Sequence, residues 1–160
     1  MGLHSSRHRN RGWLSQYERT HRWFERVARI GTRQTQSADT EHEHDTLVAF
    51  FHNCYHLRDW LLNDKAVAQK DLEDLFKSHI ELRVCQDICN GTKHLDLDHP
   101  KVDGSFSIGR EYVDLDDTRD RPHLTETWFI VAGSEKYDLF ELAAACMRIW
   151  DTFVGGQGLV

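Results

Sequence analysis

No apolar run in this 160-residue chain is long enough to cross a bilayer, and the longest, "LVAFF" and "ELAAACM", fall far short of a spanning helix. The opening "MGLHSSRHRNRG" has none of the apolar core a secretory leader needs, so a cytosolic protein is the expectation. No two of the four cysteines are spaced as CxxC, which removes the zinc-ribbon frame and the dithiol redox motif. Repeats and low-complexity tracts are missing as well. There is no GxxxxGK[ST], no GxGxxG after a strand and no GxSxG, so phosphate-loop, dinucleotide-binding and nucleophile-elbow chemistries have no sequence support. The "GGQG" at 155–158 reads as a helix end, and no cofactor is expected.

What is present is an ordinary soluble composition, 39% apolar and 29% charged, in a chain long enough to bury one core without disulfides or metals. Cys54, Cys85, Cys89 and Cys146 lie inside apolar helical patterns and read as core thiols, in keeping with a reducing compartment. The net charge of −6 is unevenly spread. Residues 1–35 hold eight Arg and two Glu, a local balance of +6, against −12 for the rest. Residues 1–12 form a basic flexible arm whose Arg7, Arg9 and Arg11 suit phosphate, since the planar guanidinium binds two oxygens at once. The alternative is that the arm folds onto the acidic body, residues 13–160, which reads as a single domain.

Four helices are predicted. Ser15 with Glu18 reads as a capping box opening the first, which ends at Gly31; Thr40 with Glu43 opens the second, running to Asn63. The third spans about 70–90 and stops at the Asn90-Gly91 pair. Asp138 with Glu141 opens the fourth, which stops at Gly155 and Gly156. Between the third and fourth, "SFSIGREYV" and "ETWFIVAG" switch to strand composition around the turn-like "DLDDTRDRPH". The fold class is therefore mainly α, a bundle of about four helices with a β-hairpin inserted between helices three and four.

Placing successive residues 100° apart puts Leu47, Phe50, Phe51, Cys54, Leu57, Leu61 and Leu62 on one face of the second helix, with Arg58 in its middle. A guanidinium there needs a carboxylate, carbonyls or a polar cleft. On the third helix, Leu72, Leu75, Phe76 and His79 continue as Arg83, Asp87, Asn90 and His94, so the inward stripe turns from apolar to polar along its length. If the two helices are antiparallel neighbours, Asp87 is the natural partner of Arg58. Such an ion pair, with Asn90 at the helix end and His94 in the exit loop, is also a purely structural explanation.

"HLRDW" at 56–60 and "DICNGTKH" at 87–94 resemble a group of small bacterial helical proteins, and the second stretch resembles the signature of the HEPN superfamily, in which Arg, a polar residue often Asn, three or more further residues and His follow one another. Asn90 and His94 match, while Cys89 stands at the Arg position. The resemblance implies a helical bundle, commonly homodimeric, that cuts RNA without a metal as a toxin or phage-defence ribonuclease, with an antitoxin or regulatory protein as partner. Carried onto this chain, His94 exchanges protons, Arg58 contacts phosphate in place of the missing Arg, Asn90 orients, and Asp87 holds Arg58 or Arg83. Lys93 and Arg83 join the nucleic-acid contacts at the rim.

Two other readings come from the residues alone. His52 and His56 share a helix face, Asp59 follows one turn on, and His42 and His44 stand in "EHEHD", so a metal site of His52, His56 and Asp59 is available, against a solvated face opposite the apolar stripe. A non-catalytic RNA- or protein-binding module would use the arm and Trp60, which can stack a base or cover a neighbouring helix. Cys89 and His94 are poorly spaced for a thiol-imidazole dyad.

Overall fold

The computed structural model describes residues 12–31, 40–93, 106–114 and 124–160. Arg7, Arg9, Arg11 and His94 lie outside these, as does the predicted hairpin turn, and of Lys93 only the backbone is described. Among the described residues the order is α1 (Gly12–Gly31), α2 (Thr40–Asn63), α3 (Gln69–Ser78), α4 (Ile80–Lys93), β1 (Phe106–Asp114), β2 (Leu124–Ala132), β3 (Glu135–Asp138) and α5 (Leu139–Gly156). The expected class, a mainly α bundle with a hairpin before the last helix, is the observed one.

Five helices stand where about four were predicted, because the expected third is two. His79 leaves the helical region at φ −126°, ψ 109°, and the Arg83 guanidinium donates to the Lys77 carbonyl at 2.7 Å, satisfying an end of α3 that the ladder no longer reaches. The Asn90-Gly91 pair does not stop α4, which runs on to Lys93. Gly costs a helix interior only about 1 kcal/mol, which the packing of Cys85, Ile88 and Cys89 in the core offsets.

The helix caps separate local from tertiary causes. Asp138 caps α5 as its sequence implies, its Oδ1 accepting from the backbone N–H of Phe140 at 2.8 Å and of Glu141 at 3.0 Å. Ser15 instead falls inside α1, which starts three residues earlier because the Asp64 carboxylate, from beyond the end of α2, accepts from the N–H of Trp13. Gly12 is at φ +39° with Asp64 against its backbone, where a side chain would collide. Glu43 is buried inside the bundle, with Trp128 Nε1 donating to its Oε2 at 3.2 Å and so tying β2 to the start of α2.

The strands form one antiparallel sheet, β1-β2-β3, with Ile108 opposite Ile130 and Phe129 opposite Asp138. The short β3 escapes prediction: "EKYD" has no apolar alternation, and only a two-residue turn at Gly133 (φ +68°) pairs it with β2. Trp128, Ile130 and Ala132 point inward at every second position, against a core that includes Phe50, Phe51, Leu57, Leu61, Ile88, Met147 and Trp150. α2 is central, packed by α1, α4 and α5, and so has more than one buried side.

Candidate functional site

That central position redirects the histidines of α2. His52, His56 and Asp59 do project away from the apolar stripe, and His52 and His56 meet α4 there while His56 and Asp59 keep about half of their side chains in water. His56 Nε2 lies 3.9 Å from the Cys89 sulfur, and its Nδ1 lies 3.4 Å from Asp59 Oδ2. His52 Nε2 is 2.6 Å from the Thr92 hydroxyl, which donates in turn to the Ile88 carbonyl at 2.7 Å. Spacings of four on α2 and three on α4 stack these groups along one seam between the helices. Cys89 forms its floor at 2% exposure, while the side chains of His56 and Asp59 are 46% and 47% exposed.

Tyr55 and Gln86 flank the seam, Gln86 Nε2 donating to the Tyr55 hydroxyl at 3.0 Å. Burial raises the Tyr55 phenol above its ordinary range, partly opposed by the charge of Arg58 and assisted by those of Asp59 and Cys89. Arg58 stands at the rim of this face through Asp59, which lies 3.5 Å from its Nη1 and 3.4 Å from His56 Nδ1.

The expected environment of Arg58 needs correction. The side chain is 31% exposed, its guanidinium lies 5.9 Å from the Phe76 ring centre, and Nη1 is 3.5 Å from Asp59 Oδ1. The guanidinium itself lies over the Phe76 ring with the Asp59 carboxylate beside it, which resolves the apparent conflict of a cation among leucines. Arg58 thus turns to Asp59, and Arg83 to Lys77, instead of to Asp87. Asp87 is fully buried, as its inward projection implied, and Asn90 is half-buried on the last turns of α4. The break at His79 means that the stripe from Leu72 to His94 is not one continuous face.

Two groups of three among the described residues are arranged to take a metal ion. In the seam, one ring nitrogen each from His52 and His56 and the sulfur of Cys89 lie within 4.8 Å of one another. Asp59 is thus a partner of His56 rather than a third member of the trio. His42 and His44 stand eight to ten residues before His52, about 12–15 Å along the axis, and do not join it. The second group is Cys54, Cys85 and Cys146, from α2, α4 and α5, equally close together and buried. Burial pushes the Cys85 thiol well up, and its hydrogen bond to Cys54 does the same for Cys146. The Trp150 indole N–H has no hydrogen-bonding partner among the described residues.

Sequence reasoning missed Cys89 and Thr92 as site residues. The four-residue spacings His52/His56 and Cys85/Cys89 were visible, but which helix faces meet is a matter of interhelical register. Trp60, 38% exposed, has the Arg19 guanidinium 5.9 Å from its ring centre, so it covers some of α1. A cleft of about 440 Å³ between α3 and α5, reached by His79, Glu81 and Arg148, includes none of the seam residues. No helix among the described residues is long and apolar enough to cross a membrane. No protein-family model, no curated protein and no solved structure matches this chain.

Proposed function

We propose that the chain is an RNA-directed, HEPN-like protein and that the α2–α4 seam is its working face. The observation that carries this reading is convergence: the two stretches bearing the resemblance, "HLRDW" and "DICNGTK", touch through His56 and Cys89, with Arg58 at the same rim. Two segments thirty residues apart meet at their polar positions.

Each residue has a role that its chemistry permits. Arg58, its guanidinium over Phe76, has donors to spare beyond Asp59, suited to a phosphate. RNA cleavage without a metal needs one group to take the proton of the attacking 2′-hydroxyl and another to protonate the 5′-oxygen as its bond to phosphorus breaks. His56, oriented by Asp59, supplies one such imidazole, and His94, through the resemblance, the other. Asn90 orients and Lys93 contacts backbone phosphate. The resemblance further gives a homodimer acting as a toxin or phage-defence ribonuclease, controlled by an antitoxin or regulatory partner.

One observation favours a non-catalytic module that holds RNA or protein. Cys89, at the motif's Arg position, is buried and turned to His56, so no cation stands there. A cleavage and binding assay with single-stranded RNA, in chelator, separates the two. Cleavage that falls at least about 100-fold in Arg58→Ala and in His94→Ala is the expected result, since one lost charge or proton-transfer group is worth that much. Undiminished cleavage in both variants overturns the assignment; binding without cleavage establishes the module instead.

A further inference from the structure

We propose that the seam is a zinc site in which His52, His56 and Cys89 are the protein ligands and Asp59 orients His56. The binding claim rests on the seam alone and stands or falls apart from the RNA reading.

Four features support it. The donor set is right in kind: two imidazoles and a thiolate suit zinc, and three protein ligands with a fourth position open to water is the pattern of an accessible rather than a sealed site. The distances are close. Bonds of about 2.0–2.3 Å in a tetrahedron place ligand atoms about 3.5 Å apart, and these three already lie within 4.8 Å, with 3.9 Å between His56 Nε2 and Cys89. Closing the remainder takes small side-chain rotations of two half-exposed histidines, with no backbone shift.

The outer shell is also in place. His56 turns Nε2 toward the centre and Nδ1 to the Asp59 carboxylate, the carboxylate-histidine-metal relation that fixes ring orientation and raises ligand basicity. Thr92 holds His52 Nε2 at 2.6 Å against α4, so His52 either ligates through Nδ1 with this bond kept or exchanges it for the ion. Charge is compensated in part: a divalent ion, one thiolate, the Asp59 carboxylate and the Arg58 guanidinium beside it sum to +1, at a margin where solvent screens the remainder. The three-cysteine group lacks that compensation: three thiolates around the same ion leave a negative charge in an interior where ionised groups are costly.

Occupancy has a consequence for the neighbouring chemistry. Zinc on His56 Nε2 would remove the imidazole's capacity to exchange a proton, so the ion and metal-independent cleavage would exclude one another at this residue. Affinity would fall at low pH, because the imidazoles must be neutral and the thiol deprotonated to bind.

The test uses the full chain without a polyhistidine tag, stripped of metal and titrated with Zn²⁺ against a chromophoric chelator and with Co²⁺ as a spectroscopic probe. Expected are one equivalent of zinc per chain and a cysteinate-to-cobalt charge-transfer band in the near ultraviolet. The band should vanish in Cys89→Ser and survive in Cys54→Ser. Asp59→Asn, at an exposed position where folding is not at risk, should weaken zinc about 10-fold or more. Substoichiometric zinc, or a band that survives in Cys89→Ser and disappears in Cys54→Ser, overturns the proposal. Repeating the RNA assay with and without zinc keeps the two conclusions separate: a bound ion without RNA activity retains this inference and removes the proposed function, and chelator-resistant cleavage by a protein that takes up no zinc does the reverse.

Discussion

The two trios of candidate ligands share α2 and α4, the cysteine group adding α5, and differ in nearly everything else. Cys54, Cys85 and Cys146 sit in the dry centre, closed over by Trp150 at 0% exposure; at the bundle's margin His52 and the exposed His56 lie over a buried Cys89 with polar neighbours. Comparable spacing of donor atoms therefore does not confer comparable chemistry. In the interior, burial holds Cys85 in its neutral form, while for Cys54 the opposing effect of burial is outweighed by hydrogen bonds from Cys146 and Cys85, which lower its thiol. At the seam, each ring nitrogen with a described contact meets a polar atom or sulfur, and the cost of ionisation is shared with solvent.

Breaking the closed trio should have the largest effect. Trp150→Ala removes a fully buried indole and should cost about 3–5 kcal/mol in urea-induced unfolding, whereas His52→Ala, at a half-exposed position, should cost less than about 1 kcal/mol. Equal losses would mean that the seam is as integral to the core as the thiol cluster is. Serine substitutions sharpen the contrast at nearly constant volume. Cys54→Ser buries a hydroxyl in the dry group and should lose about 1–3 kcal/mol, against less than about 1 kcal/mol for Cys89→Ser beside His56.

A smaller change tests the joint that feeds both trios, since Cys85 and Cys89 are both on α4. Arg83→Ala strips the carbonyl at the end of α3 of its guanidinium and should lower stability by about 0.5–1 kcal/mol, with faster amide exchange around His79 as the local sign. The least perturbing experiment leaves the chain unaltered. Alkylation of the native protein, followed by mass spectrometry, should modify Cys89 before Cys54, Cys85 and Cys146, and zinc should slow it; simultaneous reaction of all four would show that global unfolding, not seam access, controls the thiols.

Much of the frame was legible without coordinates. The second helix has its predicted bounds, Asp138 caps α5 through the backbone contacts its position implies, and both long strands follow the switch to β-branched and aromatic residues. The site was legible only in fragments. Arg58, Asp59 and His56 were picked out, but Arg58 was placed too deep, because a projection records the direction of Cβ and not the reach of a long stem. The side of α2 opposite the apolar stripe is solvent-exposed at His56, as the projection implied, but the projection did not show that the same side also meets α4.

Local periodicity and capping chemistry determined the elements themselves, because a helix face or an N-cap depends on residues within one or two turns. The tertiary structure alone decided that α4 would lay Cys89 and Thr92 against His56 and His52, that Asp64 would cap a helix 51 residues earlier in the chain, and that His79 would separate α3 from α4. Each of these is set by the rotation and register of one helix on another. A single-residue offset, 100° of turn, would have replaced every partner without altering a local preference.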